Sequence, residues 1–134
     1  MTKTLSDAEK IAEFRKIAGY WETKQWRAIC DMMKPDVEMQ NMMFDPIVGR
    51  EAVYKRWSHM SPPNKKCILH INRIGIVEGA LVVERTDEII VDGVSRSVAV
   101  VGILDFDGPL ISRWREYYDR SRLLWAQSTT AAPY

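Results

Sequence analysis

Four polar residues stand among apolar neighbours in this chain, and their chemistry is that of acids and bases. Strand-like alternation over residues 80–91 puts Leu81, Val83, Arg85, Asp87 and Ile89 on one face, so Arg85 and Asp87 point where the aliphatic side chains point. Over 110–119 the same alternation groups Leu110, Ser112, Trp114, Glu116 and Tyr118, leaving Glu116 flanked by Trp114 and Tyr118. Over 37–43, Asn41 falls with Val37, Met39 and Met43. An unpaired charge on an apolar interior face is strongly unfavourable, so these groups are expected to find one another. The forked guanidinium of Arg85 can bridge Asp87 and Glu116, and two carboxyl groups in different surroundings can divide the work of donating and accepting a proton. The same residues also suit a buried ion-pair network that only fixes the register of two strands, and spacing leaves both roles open.

The elements that must position these groups follow from periodicity. Ser6 and Glu9 have capping-box spacing, and Ile11, Phe14, Ile17, Ala18 and Trp21 form one helical stripe, with a break expected near Gly19 and Tyr20. Trp26, Ile29, Cys30 and Met33 predict a second, shorter helix that Pro35 stops. A strand is expected over 37–43. A third helix is expected after the Pro46–Gly49 turn, carrying Val53, Trp57 and Met60 and ending at Ser61, Pro62 and Pro63. The period then changes to two, with turns at Glu78-Gly79, Asp92-Gly93 and Asp107-Gly108-Pro109, which predicts strands near 67–77, 80–91, 95–106 and 110–119 in an antiparallel meander. The fold class is α+β: a curved mixed or antiparallel sheet covered on one face by N-terminal helices, as one domain over 1–125 with a loose tail over 126–134. There is no internal repeat.

Composition narrows the function classes. With 134 residues, 46% hydrophobic and 28% charged, the chain suits one ordinary globular domain. Nineteen basic and 18 acidic residues give a net charge of +1, which lacks the cationic excess that nucleic-acid binding draws on. Residues 1–10 have no apolar core of a leader and no stretch is long and apolar enough to span a bilayer, so the expectation is a cytoplasmic protein with no membrane partner. Cys30 and Cys67 are far apart with no CxxC, and His59 and His70 have no i, i+4 partner, so spacing suggests neither a disulfide framework nor a metal site.

The stretches MQNMMFDPIVGREAV (39–53), VVERTDEI (82–89) and VVGILDFDGPLISRWREYYD (100–119) resemble the limonene-1,2-epoxide hydrolase family. That family lies within the NTF2-like (cystatin-like) group of cone-shaped folds, beside the ketosteroid isomerases and SnoaL-like cyclases. With the order of elements, the resemblance covers about residues 11–123. ERTD and WREYYD are its more specific parts, and the GREAV turn is common to the wider group. By position, Arg85 resembles the family's bridging arginine, Asp87 its general acid and Asn41 its water-positioning amide. Glu116 stands where the family usually has an Asp as general base, and Met39 stands where it has a water-binding Tyr. The resemblance implies one-step addition of water to an apolar, terpenoid-like or cyclic epoxide, with no cofactor or metal, by a homodimer.

The same pocket also fits an isomerase, cyclase or dehydratase acting on a polyketide, terpenoid or steroid, or a non-catalytic ligand-binding module; Met39 in place of Tyr favours proton shuffling without water. Trp21 and Met39 are the foremost candidates for the substrate pocket, joined by Trp114, Tyr118, Leu104 and Val83. The other Trp and Met residues read mainly as core. His70, on a face with Ile68, Asn72 and Ile74, reads as a hydrogen-bonded structural histidine, and Arg113, Arg115, Arg120 and Arg122 as a solvated or ion-paired basic edge.

Overall fold

Two tight hairpin turns organise the second half of the chain. Glu78 (φ 50°) with Gly79 (φ 84°), and Asp92 (φ 50°) with Gly93 (φ 81°), take the pair of positive φ values that a type I′ turn needs. The computed structural model, which describes residues 3–128, accordingly has β3 (Lys65–Val77), β4 (Ala80–Val91), β5 (Val94–Asp107) and β6 (Leu110–Tyr118) as the expected antiparallel meander.

The first half supplies α1 (Asp7–Glu22), α2 (Trp26–Cys30), β1 (Met33–Asn41), the short β2 (Ile47–Val48) and α3 (Arg50–His59). The six-stranded sheet has the order β2-β1-β6-β5-β4-β3, with β1 parallel to β6 and antiparallel to β2. The sheet is therefore mixed, through the parallel pairing of β1 with β6.

Several boundaries differ from the sequence expectation for identifiable reasons. α1 is capped as expected, with Glu9 N–H donating to Ser6 Oγ at 3.2 Å and Ser6 N–H to Glu9 Oε1 at 3.0 Å, but it runs through Gly19 and Tyr20 without a break. A lone helical glycine weakens a helix by only about 1 kcal/mol, which packing of Phe14 and Ile17 outweighs. The helix ends instead before Lys24, whose φ is 58°. Pro35 does not end a helix; it lies within β1, in the interval between Met33 and Glu38 where the pairing with β6 shifts, so its missing N–H removes no ladder bond. β1 is thus earlier than expected, and Met43 falls beyond it and is exposed rather than inward-facing.

A fourth helix, α4 (Arg120–Ala126), was not anticipated. Asp119 caps it by accepting from Ser121 N–H at 2.8 Å and Arg122 N–H at 3.2 Å. Ala126, placed by sequence in the tail, closes this helix and is fully buried; residues 129–134 of that expected tail lie outside the described residues.

The main core joins Phe14 and Ile17 of α1, Ile29 of α2, and Val53 and Trp57 of α3 to Val37, Leu81, Val83, Leu104, Ile111 and Trp114 of the sheet. Trp21, Trp26, Trp57 and Trp114 meet at ring distances of 4.9–6.5 Å, and Phe14 meets Trp114 edge-on at 6.1 Å. Among the described residues no helix is long and apolar enough to cross a membrane. Phe14→Ala removes the ring that fastens α1 to the sheet, and urea denaturation is expected to show a loss of about 3–5 kcal/mol.

Candidate active site

β4 pairs with β5 without a register shift from Leu81 to Val91, so its alternation holds throughout and Arg85 and Asp87 face inward beside Val83 and Ile89. Glu116 reaches the same face from β6, one strand beyond β5. The Arg85 guanidinium donates from Nε to Asp87 Oδ1 and from Nη2 to Asp87 Oδ2, each at 2.9 Å. It also donates from Nη1 to Glu116 Oε2 at 3.0 Å and from Nη2 to Glu116 Oε1 at 2.5 Å. One guanidinium is thus bracketed by two carboxylates from different strands. Side-chain exposure is 3% for Arg85, 8% for Glu116 and 14% for Asp87, so the pair of acids does not share one environment. Burial by itself would lower the Arg85 pKa, but the opposing charge of Glu116 and the Asp87 hydrogen bonds outweigh it and hold Arg85 above its ordinary value.

Asn41 of β1 is the Cα partner of Glu116 across the parallel β1–β6 pair, and Met39 is the partner of Trp114. The Asn41 side-chain amide has no hydrogen-bond partner among the described residues, and it faces the same cavity as the ion pair. Tyr118, two residues beyond Glu116 on the same strand face, brings a phenolic hydroxyl to that wall; burial, then the Glu116 charge, raises its pKa.

The four polar residues singled out by alternation therefore meet on one cavity of about 170 Å³. That volume compares with the space a single ring occupies. Trp21, Met39 and Tyr118 line it, as expected of pocket residues. Trp114, Leu104 and Val83 do not: each is fully buried behind the wall, in the core. Alternation gave their face correctly but not their depth, since they lie further along the strands, under Phe14 and the helices.

Several contributors were not read from sequence. Gly102 of β5 lies between Val83 and Glu116 in the strand register, directly beneath the ion pair. A Cβ there would stand 2.6 Å from Glu116 Oε2 and 3.0 Å from Arg85 Nη1. An inward-facing glycine between bulky inward residues on a central strand was the available signal. Leu123 of α4 and Gln127 beyond it also line the cavity, as do Lys24, Lys65, Met60 and Ser61. His70, by contrast, is on the outer face, exposed, with Nε2 2.9 Å from Glu88 Oε1. Arg113 and Arg115 make outer ion pairs with Glu38 and Asp105 at 3.9 and 3.6 Å. Among the described residues no group of three or more His, Cys, Asp or Glu side chains is placed to hold a metal ion.

A curled mixed sheet roofed by N-terminal helices is the NTF2-like, ketosteroid isomerase-like class of fold. Solved structures agree. An LEH-like epoxide hydrolase from M. tuberculosis superposes with TM-score 0.77 at 21% identity over 90% of both chains. A putative polyketide cyclase from Xanthomonas campestris pv. campestris gives 0.78 at 14% identity over 91% of this chain and 98% of that one. A hypothetical protein with a ketosteroid isomerase-like fold from Catenulispora acidiphila gives 0.75 at 15% identity over 86% and 91%. No curated protein matches this chain in sequence. The model of the limonene-1,2-epoxide hydrolase catalytic domain matches residues 10–129, and the chain belongs to that family.

Two predictions come from this geometry. Gly102→Ala is expected to push Glu116 away from Arg85 and lower stability by about 1–3 kcal/mol in urea denaturation. Gly75→Ala, where an added Cβ meets nothing within 4 Å, is the matched control and should change stability by less than about 1 kcal/mol. The second prediction concerns thiols. Burial pushes Cys67 up to about 12 and Cys30 up to about 11, from an ordinary value of 9.0. Because the folded values are raised, the stability they carry is complete below pH 9.0 and is lost as pH climbs through 11 to 12. A Cys30→Ser, Cys67→Ser variant should show a shallower alkaline loss of melting temperature than the parent.

Proposed function

We propose that this chain adds water to an epoxide by one-step general acid–base catalysis, with Glu116 as base, Asp87 as acid and Asn41 holding the water. The observation that carries this reading is the single Arg85 guanidinium hydrogen-bonded to two carboxylates on the wall of a largely apolar cavity. One guanidinium faces two acids in different surroundings, an arrangement that lets one accept a proton while the other donates one. Asn41 is the neighbour of Glu116 in the β1–β6 register, which makes Glu116 the acid beside the water site and leaves Asp87 to meet the epoxide oxygen.

In the reaction, water loses a proton to Glu116 as its oxygen bonds to one epoxide carbon. The carbon–oxygen bond breaks, and Asp87 gives its proton to the departing oxygen, so the product is a vicinal diol. Glu116 then releases its proton and Asp87 regains one from solvent. Arg85 stays fixed and charged throughout, orienting both acids. The thioether of Met39 donates no hydrogen bond to the water, and the Tyr118 hydroxyl on the same wall takes that part. The reading includes a homodimer, as the family resemblance implies.

Met39 also favours a second reading. With one water ligand fewer, the same acids can move protons within a substrate, as an isomerase, cyclase or dehydratase does, and the likeness to a putative polyketide cyclase fits that chemistry.

Turnover of cyclic and terpenoid epoxides in oxygen-18 water separates the readings. Hydrolysis predicts label in a diol, loss of about 10²–10⁴ in rate for Glu116→Gln and for Asp87→Asn, and a smaller loss for Tyr118→Phe. If folded protein opens no epoxide yet isomerises an enone or cyclises a polyketide through the same two acids, the second reading replaces the first. If it does neither but binds apolar ligands, the protein is a binding module.

A further inference from the structure

Two ammonium groups stand at the edge of the cavity with no carboxylate to answer them. Lys65 opens β3 and shares its inward face with Cys67, and both line the cavity. Lys24, in the turn after α1, lines the same edge and gives one of its three donors to the Pro62 carbonyl at 3.0 Å. Among the described residues neither lysine has an ion-pair partner. The nearby Glu22 faces Lys66 at 3.6 Å, and Asp92 accepts from the Asn64 amide at 3.0 Å. Burial lowers the Lys65 pKa, and the charge of Lys24 adds to that. An ammonium that is partly desolvated and repelled by a like charge gains from any anion that arrives beside it.

Strand register sets the distance from this edge to the acids. Leu69 is the partner of Asp87 and Lys65 lies four residues before it on β3, so about 14 Å of strand separates the two levels. Cys67 and Ile89 line the cavity between them, as do the rings of Trp21 and Trp57. A molecule spanning the two levels is therefore charged at one end and apolar for most of its length.

We propose, resting on the acid–base reading above, that the substrate is a carboxylate with an apolar body on the order of 10 Å long, and that Lys65, assisted by Lys24, holds its carboxylate at the cavity edge while the reacting carbons lie at the Arg85 cluster. The two lysines are specificity determinants, and the preferred substrate is an epoxidised acid rather than a neutral hydrocarbon epoxide.

Decanoate and methyl decanoate, titrated against the intrinsic fluorescence of the cavity tryptophans, test the anion site without any turnover. The acid is expected to bind about tenfold tighter than the ester, the gain typical of a charge-assisted hydrogen bond. Lys65→Met should bring that ratio near one, and Lys65→Arg should keep it. Equal binding of acid and ester by the unaltered protein overturns the proposal whatever the variants do, as does a ratio that survives Lys65→Met. The ω-epoxides of the same acid and ester then separate this inference from hydrolysis itself. Preference for the acid in binding with neither epoxide opened removes hydrolysis and leaves the anion site standing. Opening of both at equal kcat/KM, with equal binding, removes the anion site and leaves hydrolysis standing.

Discussion

A guanidinium 3% exposed is tolerable only because two carboxylates reach it, and much of the architecture exists to let them. Asp87 is two residues from Arg85 on the same strand, so its half of the contact is local and needs only unbroken pleating. Glu116 lies two strands away in the sheet, and its half needs the whole meander in register. The strand between them must also carry nothing at the crossing point, which is the part Gly102 plays. A buried charge cluster of this kind contributes little net stability, since desolvation offsets attraction, yet removing one partner leaves the others uncompensated. It therefore acts more as a lock on strand register than as a source of folding energy.

Folding energy comes from elsewhere. Phe14 of α1 and Trp57 of α3 each meet Trp114 of β6 edge-on, and these contacts pin two helices to the inner face of the sheet. Trp21, Trp26 and Trp57 belong to both regions, packing on one another and lining the cavity. Packing and site are thus graded into one another along the same strands.

That gradation explains what the amino-acid sequence disclosed. Alternation identified Arg85, Asp87, Glu116 and Asn41 because each breaks an apolar face, and β4 has no bulge on its β5 side to spoil the count. It placed Val83, Leu104 and Trp114 on the proper face but could not tell wall from depth, which depends on where the helices come down. Gly102 stayed hidden because its contribution is an absent side chain, meaningful only once neighbouring strands are known. Pro35 misled because a proline that ends a helix and one that sits in an unpaired stretch of strand look alike in one dimension. β1 was displaced as a result, although its parallel alliance with β6 was left open by a sheet described as mixed or antiparallel. α4 escaped because seven residues hold too few turns for a periodic signal, and Asp119 serves both as the limit of a strand pattern and as the helix cap.

α4 also divides the cavity's boundary into two kinds of wall. The part of the lining that carries the acids belongs to strands hydrogen-bonded on both sides, where any change of shape spreads through the register that holds them. Leu123 and Gln127 instead come from a short appended segment that rests on β5 and contributes no strand to the sheet. A change in the length or side chains of α4 therefore reshapes the chamber without passing through the register that holds the proton-handling groups.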